Sequence, residues 1–327
     1  MTSKARGLAR LASSDDTLRL RSASLGLSTG LRDTETMTRP TGLPIVDLMV
    51  ELPQGGAGMG MDQARKQMKD SSSGEFEFHP AEYLFKDAGE RMSKDLTIDD
   101  LVMLMDHHGI TTAQIDVNPV RPEESHEIFE RYPGRFFGSV GIDPNRGMKS
   151  LRSMKAAIES HPAIKSVSAA PCLYSPQVPI DAALMYPFYA GCCELDVPMN
   201  ILAGIPGPRV PFDCQRVDRI DQVCYDFPDL KLVMRHGCEP WEDLAVKLMV
   251  KWPNLYFSTT AFAPKHYPKA IIDYANSRGT DKVMFAGYYP GLSWERVLGE
   301  LDDLGLREHV WEPFLAGNAR RVFKLED

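Results

Sequence analysis

The chain has no apolar run approaching the ~20 residues that cross a bilayer, which argues against a membrane-spanning helix. It has no excess of positive charge either. A formal net charge of −8 argues against non-specific nucleic-acid binding, which needs a basic surface to displace counterions from phosphates. No two cysteines stand in a Cys-x-x-Cys spacing, so neither a zinc knuckle nor a thioredoxin-like site is indicated. The six that are present, Cys172, Cys192, Cys193, Cys214, Cys224 and Cys238, read as reduced thiols packed in a cytoplasmic protein.

The first forty residues lack a continuous apolar core, so no secretory signal is read there. They are rich in Ser, Thr, Arg and Leu, like a transit peptide, yet Asp15, Asp16, Asp33 and Glu35 are acidic. Residues 1–42 are read as an N-terminal arm, either packing on a neighbouring subunit or preceding a natural start at Met37.

What is present from Leu43 onward is regular. Short β-branched runs alternate with amphipathic stretches, the signature of βα units and a parallel sheet. Strands are expected at 44–50, 113–117, 136–142, 164–169, 197–202, 230–236, 255–259 and 282–286. Helices are expected at 99–108, 123–132, 148–161, 181–195, 213–225, 241–250, 267–278 and 293–304, with a last one at 310–323. Eight such units predict an α/β fold of the (β/α)8 TIM-barrel type, a single domain over 43–327. At 327 residues the chain has room for it and the arm. One interruption, 52–94, follows the first strand. It carries a glycine-rich run, Ser71-Ser72-Ser73-Gly74 and the aromatics Phe76, Phe78, Tyr83 and Phe85. On a barrel's C-terminal face an insert of this length reads as a lid or as a surface loop.

Several strand ends carry recognisable motifs. Asp226-Phe-Pro-Asp-Leu-Lys-Leu-Val-Met-Arg-His-Gly-Cys-Glu-Pro-Trp241, Trp252-Pro-Asn-Leu-Tyr256, Val283-Met-Phe-Ala-Gly-Tyr-Tyr-Pro290 and Asn318-Ala-Arg-Arg-Val-Phe323 occur in that order. In this order and spacing they resemble the amidohydrolase-related family, typified by aminocarboxymuconate semialdehyde decarboxylase. The resemblance covers most of 43–325 and implies a metal-dependent barrel hydrolase or decarboxylase. It also implies metal ligands that this chain replaces. The family's first strand ends Asp-x-His-x-His, where a strand's period of two aims both histidines at one metal; Met49 and Glu51 stand there. The fifth-strand histidine is replaced by Leu202, and the last-strand aspartate by Tyr288. A thioether is a poor ligand for hard divalent ions.

The sixth-strand histidine is kept as His236. At a strand's C-terminal end it is the first choice for an acid/base, its alternative role being to hold the following turn. Glu51 is the second candidate, as acid/base, ligand or solvated hinge carboxylate. Tyr288 is the third, as a proton donor or as a ring filling the metal's space. Met49, Asn200, Leu202, Trp241, Thr259 and Tyr289 are expected around a small-molecule substrate. Arg235 can bind a carboxylate but, by alternation with His236, is expected to point away from the barrel axis.

One histidine and one carboxylate are too few for an ordinary zinc site, so the expectation is an enzyme with no cofactor. It would hydrolyse, or cleave a carbon–carbon bond in, a small carboxylated or aromatic substrate. Two alternatives stand beside it. One is a catalytically dead relative acting as a binding or scaffold subunit, with a paralogous partner. The other is a rebuilt metal site, zinc included, using His79, Glu51 and His236. For any of these a homo-oligomer is expected.

Overall fold

The computed structural model describes residues 38–53, 64–77, 81–92 and 96–326, all within the unit Thr36–Asp327. Nearly all of the proposed arm, and His79 with parts of the insert, lie outside the described residues.

The eight strands are β1 Ile45–Asp47, β2 Ile110–Val117, β3 Phe136–Gly141, β4 Ile164–Ala169, β5 Met199–Leu202, β6 Leu232–Arg235, β7 Leu255–Ser258 and β8 Val283–Met284. They pair in chain order, every neighbour parallel, as the βα alternation requires. The outer helices are α1 Ile98–His108, α2 Glu123–Arg131, α3 Met148–Ser160, α4 Tyr186–Leu195, α5 Ile220–Asp226, α6 Glu242–Lys251, α7 Lys269–Ala275 and α8 Trp294–Glu300. Thr97 and Asp100 form a reciprocal capping box that starts α1, and Gly109 at φ 71° ends it, each satisfying end groups that have no partner inside a helix.

β1 and β8 are not joined by a regular ladder. Val50 bridges to Tyr289 in parallel, and the Glu51 N–H donates to the Tyr289 carbonyl at 2.9 Å. The buried Asp47 carboxylate also accepts from the Gly287 N–H at 2.8 Å and the Trp294 Nε1–H at 2.7 Å. The same carboxylate accepts from the Met49 N–H at 3.0 Å, turning the chain two residues on in the manner of an Asx turn. For that reason the expected strand over 44–50 stops at Asp47. Position 287 must be glycine-sized, since a Cβ there would lie 2.5 Å from Asp47 Oδ2.

Three helices depart from expectation. The stretch over 213–225 forms two 3-10 turns, Asp213–Gln215 and Val217–Arg219, before turning α-helical at Ile220. The stretch over 181–195 becomes helical only at Tyr186, with Pro187 in its first turn, where proline's missing N–H costs nothing. The final helix is broken at Pro313 by the π-turn Pro313–Gly317, giving α9 Glu308–Glu312 and α10 Asn318–Phe323. This break serves the two-residue β8. The Phe285 N–H donates to the Phe314 carbonyl at 2.9 Å, and Asn318 Nδ2 donates to the Val283 carbonyl at 2.9 Å.

Inside the sheet the residues form two layers. Val46, Leu48, Phe137, Val233 and Met284 pack with Phe323 into an apolar cluster. A buried polar layer follows toward the strands' C-terminal ends: Gln114, Ser139, Ser166, Asn200 and Arg235, each at most 4% exposed. Asn200 Nδ2 donates to Gln114 Oε1 at 3.3 Å and to Ser139 Oγ at 3.3 Å, while Gln114 Nε2 donates to Ser166 Oγ at 3.0 Å. Buried polar groups are retained where they are bonded to one another.

Candidate active site

The strand ends open into a cavity of about 1770 Å³. Of the residues expected at the site, Met49, Glu51, Asn200, Leu202, His236 and Tyr288 all line it. The other three make contacts elsewhere. Trp241 packs on Phe212, ring centroids 5.8 Å apart, with the Arg216 guanidinium 5.5 Å from its ring. Thr259 is buried and its Oγ1 accepts from the Ala286 N–H at 3.1 Å, tying β7 to the β8 end. Tyr289 stacks on Trp294 at 4.3 Å.

His236 and Tyr288 both have left-handed backbone, φ 66° and 63°, a conformation costing non-glycine residues ~1–2 kcal/mol. Such strain concentrates at functional sites. The His236 N–H donates to Thr260 Oγ1 at 3.0 Å, which holds the turn. The imidazole meets the Tyr288 ring edge-on at 5.6 Å, and Phe85 of the insert stacks on Tyr288 at 5.3 Å. Tyr288 is thus one wall of the cavity. Burial, then the charges of Glu51 and Asp116, push its phenol up, so it remains a neutral hydrogen-bond donor.

Arg235 differs from expectation. β6 ends at Arg235, and the left-handed His236 breaks the alternation, so both side chains reach the cavity. Arg235 crosses the barrel: its Nη2 donates to the Leu48 carbonyl at 2.8 Å and to Gln114 Oε1. Burial lowers its pKa to about 10, with Asp116 and Asp47 opposing that shift; it stays cationic.

Asp116 was not among the expected residues, and it lines the same cavity as Glu51. Gln114 and Asp116 lie on the same face of β2, and the alternation Gln114-Ile115-Asp116-Val117 was the signal available for it. Burial pushes Glu51 up to about 7, and the neighbouring Asp116 charge pushes it further in that direction. Asp116, exposed to the cavity, is raised too by the protein crowded around it, with Arg235 opposing. Two carboxylates on one cavity with shifted affinities for protons are the usual makings of an acid/base or cation site.

A stability prediction follows from Glu51. Its pKa is raised above 4.5 in the fold, so between about pH 4.5 and 7 the native state holds more protons than the unfolded one. Stability then falls as pH rises through that window. Glu51→Gln is expected to be near neutral at pH 4.5 and to stabilise by about 1–3 kcal/mol above pH 8, read from melting temperatures of both proteins across pH. Equal differences at both ends would refute the burial of this charge.

The insert's described parts sit across the mouth. Arg209, beyond β5, pairs with Asp70 at 2.7 Å and lies 4.5 Å from the Tyr83 ring centroid. Gln67 Nε2 donates to the Cys172 carbonyl at 3.2 Å, and Arg91 donates to the carbonyls of Pro290 and Gly291 at 2.9 and 2.7 Å.

Comparison with known proteins agrees with this architecture. No curated protein sequence matches the chain. Among solved structures, an uncharacterised TIM-barrel protein from Bordetella bronchiseptica is 21% identical, TM-score 0.66, over 86% of this chain and 99% of that one. A dihydroxybenzoic acid decarboxylase from a Polaromonas species, with bound manganese and 2-nitroresorcinol, is 18% identical, TM-score 0.57, over 87% and 97%. A 5-carboxyvanillate decarboxylase from Novosphingobium aromaticivorans, with bound manganese and a nitrobenzoic acid, is 16% identical, TM-score 0.64, over 89% and 98%.

The manganese in these two neighbours overturns the expectation of an enzyme without cofactor and points to a divalent metal. Among the described residues no group of three or more His, Cys, Asp or Glu is arranged to hold a metal, so a zinc site with three or four protein ligands does not fit. A hard ion is different. Mg²⁺ and ions like it are held by one or two carboxylates with water and substrate completing the shell, and Mn²⁺ shares that preference for oxygen donors. Glu51 and Asp116 are a donor set of this kind. The expectation counted one histidine and one carboxylate, and did not include Asp116 of β2, which also lines the cavity. Among the described residues no helix is long and apolar enough to cross a membrane. The amidohydrolase family model matches residues 72–325, which bears out the enzyme reading, and the chain belongs to the amidohydrolase family.

Proposed function

We propose that the protein is a carbon–carbon lyase of the decarboxylase type, acting on a small carboxylated aromatic acid with a hard divalent ion at Glu51 and Asp116. One observation carries this reading: Glu51, Asp116, Arg235 and His236 border one open cavity, where Met49, Leu202 and Tyr288 form walls and not a plug. A blocked mouth would have favoured a binding subunit. The activities named for the two manganese-bound neighbours support the reaction class.

In decarboxylation the carbon–carboxylate bond breaks, its electron pair stays on carbon, and carbon dioxide leaves. That carbon then needs a proton. His236 is placed to give one, while Glu51 and Asp116 would be held ionised by the divalent ion. A bound divalent ion would supply positive charge that anchors an anionic substrate. The neutral Tyr288 phenol on the wall is a hydrogen-bond donor available to the bound acid.

The test is release of labelled carbon dioxide from a panel of carboxyl-labelled aromatic acids with Mn²⁺ supplied. Turnover of at least one acid, lost in His236→Asn, is the expected result. Hydrolysis of an amide or ester panel with no carbon dioxide release would replace this reading by a hydrolase.

We also propose a homo-oligomer, supported by exposed Met103, Tyr225 and Val250 on α1, α5 and α6, which are 60%, 69% and 50% exposed. Light scattering is expected to give a dimer or larger at micromolar concentration; a monomer there would refute it.

A further inference from the structure

At the cavity floor two buried side chains meet on one atom. Gln114 Oε1 accepts from both Arg235 Nη2 and Asn200 Nδ2, which brings the guanidinium and the Asn200 amide side by side. Both line the cavity, Arg235 at 4% and Asn200 at 1% exposure. Yet each keeps one buried polar atom without a hydrogen-bond partner: Arg235 Nε and Asn200 Oδ1. Leaving such atoms unpaired costs ~1–3 kcal/mol each, a cost that is relieved where a ligand or an ordered water completes the bonding. One is a cationic donor and the other an acceptor.

We infer that Arg235 and Asn200 form a specificity seat for a carboxylate with a nearby hydroxyl, the anionic oxygen on Arg235 Nε and the hydroxyl donating to Asn200 Oδ1. This deepens the lyase reading and rests on it only for the seat's use in catalysis. The seat distinguishes acids from their neutral analogues, because a charge-assisted bond in a buried setting outweighs a neutral one. It also prefers hydroxylated acids, because an acid lacking the hydroxyl leaves Asn200 Oδ1 unpaired. Arg235 and Asn200 are positioning residues here, with the proton chemistry left to His236.

Calorimetric titration of the full chain with 3-hydroxybenzoate, benzoate and neutral 3-hydroxybenzamide tests the seat without turnover. Wild type is expected to bind 3-hydroxybenzoate at least tenfold more tightly than either of the others. Asn200→Asp keeps the side chain's shape and places a carboxylate beside Arg235, so a folded protein is expected. That variant should lose tenfold or more in affinity for 3-hydroxybenzoate and under threefold for the amide. Arg235→Lys, checked for folding by its melting curve, should lose the preference for the acid. Equal binding of acid and amide by wild type, or undiminished acid binding in Asn200→Asp, would overturn the seat and leave those atoms to an ordered water. The two readings fail separately. Arg235-dependent acid binding with no carbon dioxide release removes the lyase and keeps the seat. Carbon dioxide release undiminished in Asn200→Asp removes the seat and keeps the lyase.

Discussion

Replacing His236 by asparagine is expected to lower turnover of the decarboxylated acid by 10²- to 10⁴-fold, the usual contribution of a positioned proton donor. Asparagine is the informative choice. Residue 236 sits at φ 66°, and asparagine tolerates left-handed backbone better than most residues, so the turn held by the Thr260 hydroxyl survives. The loss should fall on kcat, with substrate affinity changed little, because Arg235 and the ion carried by the carboxylate pair would hold the acid. A steady-state comparison of the two proteins reads this directly. A rise in KM with kcat unchanged would make His236 a binding group, and unchanged kcat and KM would return it to the structural role of fixing the turn.

The second large effect concerns stability. Asp47→Ala is expected to cost about 3 kcal/mol or more, because three N–H groups lose their acceptor together: Gly287, Trp294 and Met49. These bonds do the work of a ladder between β1 and β8. The fold narrows the space around the carboxylate so closely that no side chain fits at 287. Burial pushes the Asp47 pKa up to about 6 in spite of its donors. Chemical denaturation at pH 7 measures the loss. A change under 1 kcal/mol would mean that the Val50–Tyr289 bridge and the Glu51 backbone bond close the barrel without it.

The barrel was legible because each βα unit announces itself locally: β-branched runs, an amphipathic stretch, a proline or glycine at the boundary. β4 was placed to the residue, while β1 and β8 came out shorter than expected. Both shortfalls have a tertiary cause. Asp47 turns the chain after three residues, and β8 takes its bonds from the C-terminal segment instead of extending itself.

Motifs marked Glu51, His236 and Tyr288, and all three line the cavity; elsewhere geometry decided which residues reach it. Alternation along β6 placed Arg235 outside the barrel, but alternation holds only while the backbone stays extended, and His236 does not. Asp116 carries no family motif. Only its position two residues beyond Gln114, on the same face of β2, gives it away. Trp241, Thr259 and Tyr289 flank the right strand ends, yet packing sends them to Arg216, the β8 backbone and Trp294.

The most direct test of this account is titration of Mn²⁺ into the full chain, followed by paramagnetic resonance, with wild type beside the Glu51→Gln/Asp116→Asn double variant. About one ion bound per wild-type chain, lost in the double variant and retained in His236→Asn, is the result that a two-carboxylate site predicts. No bound ion in wild type, or the same stoichiometry in the double variant, would contradict it and move the metal away from this pair.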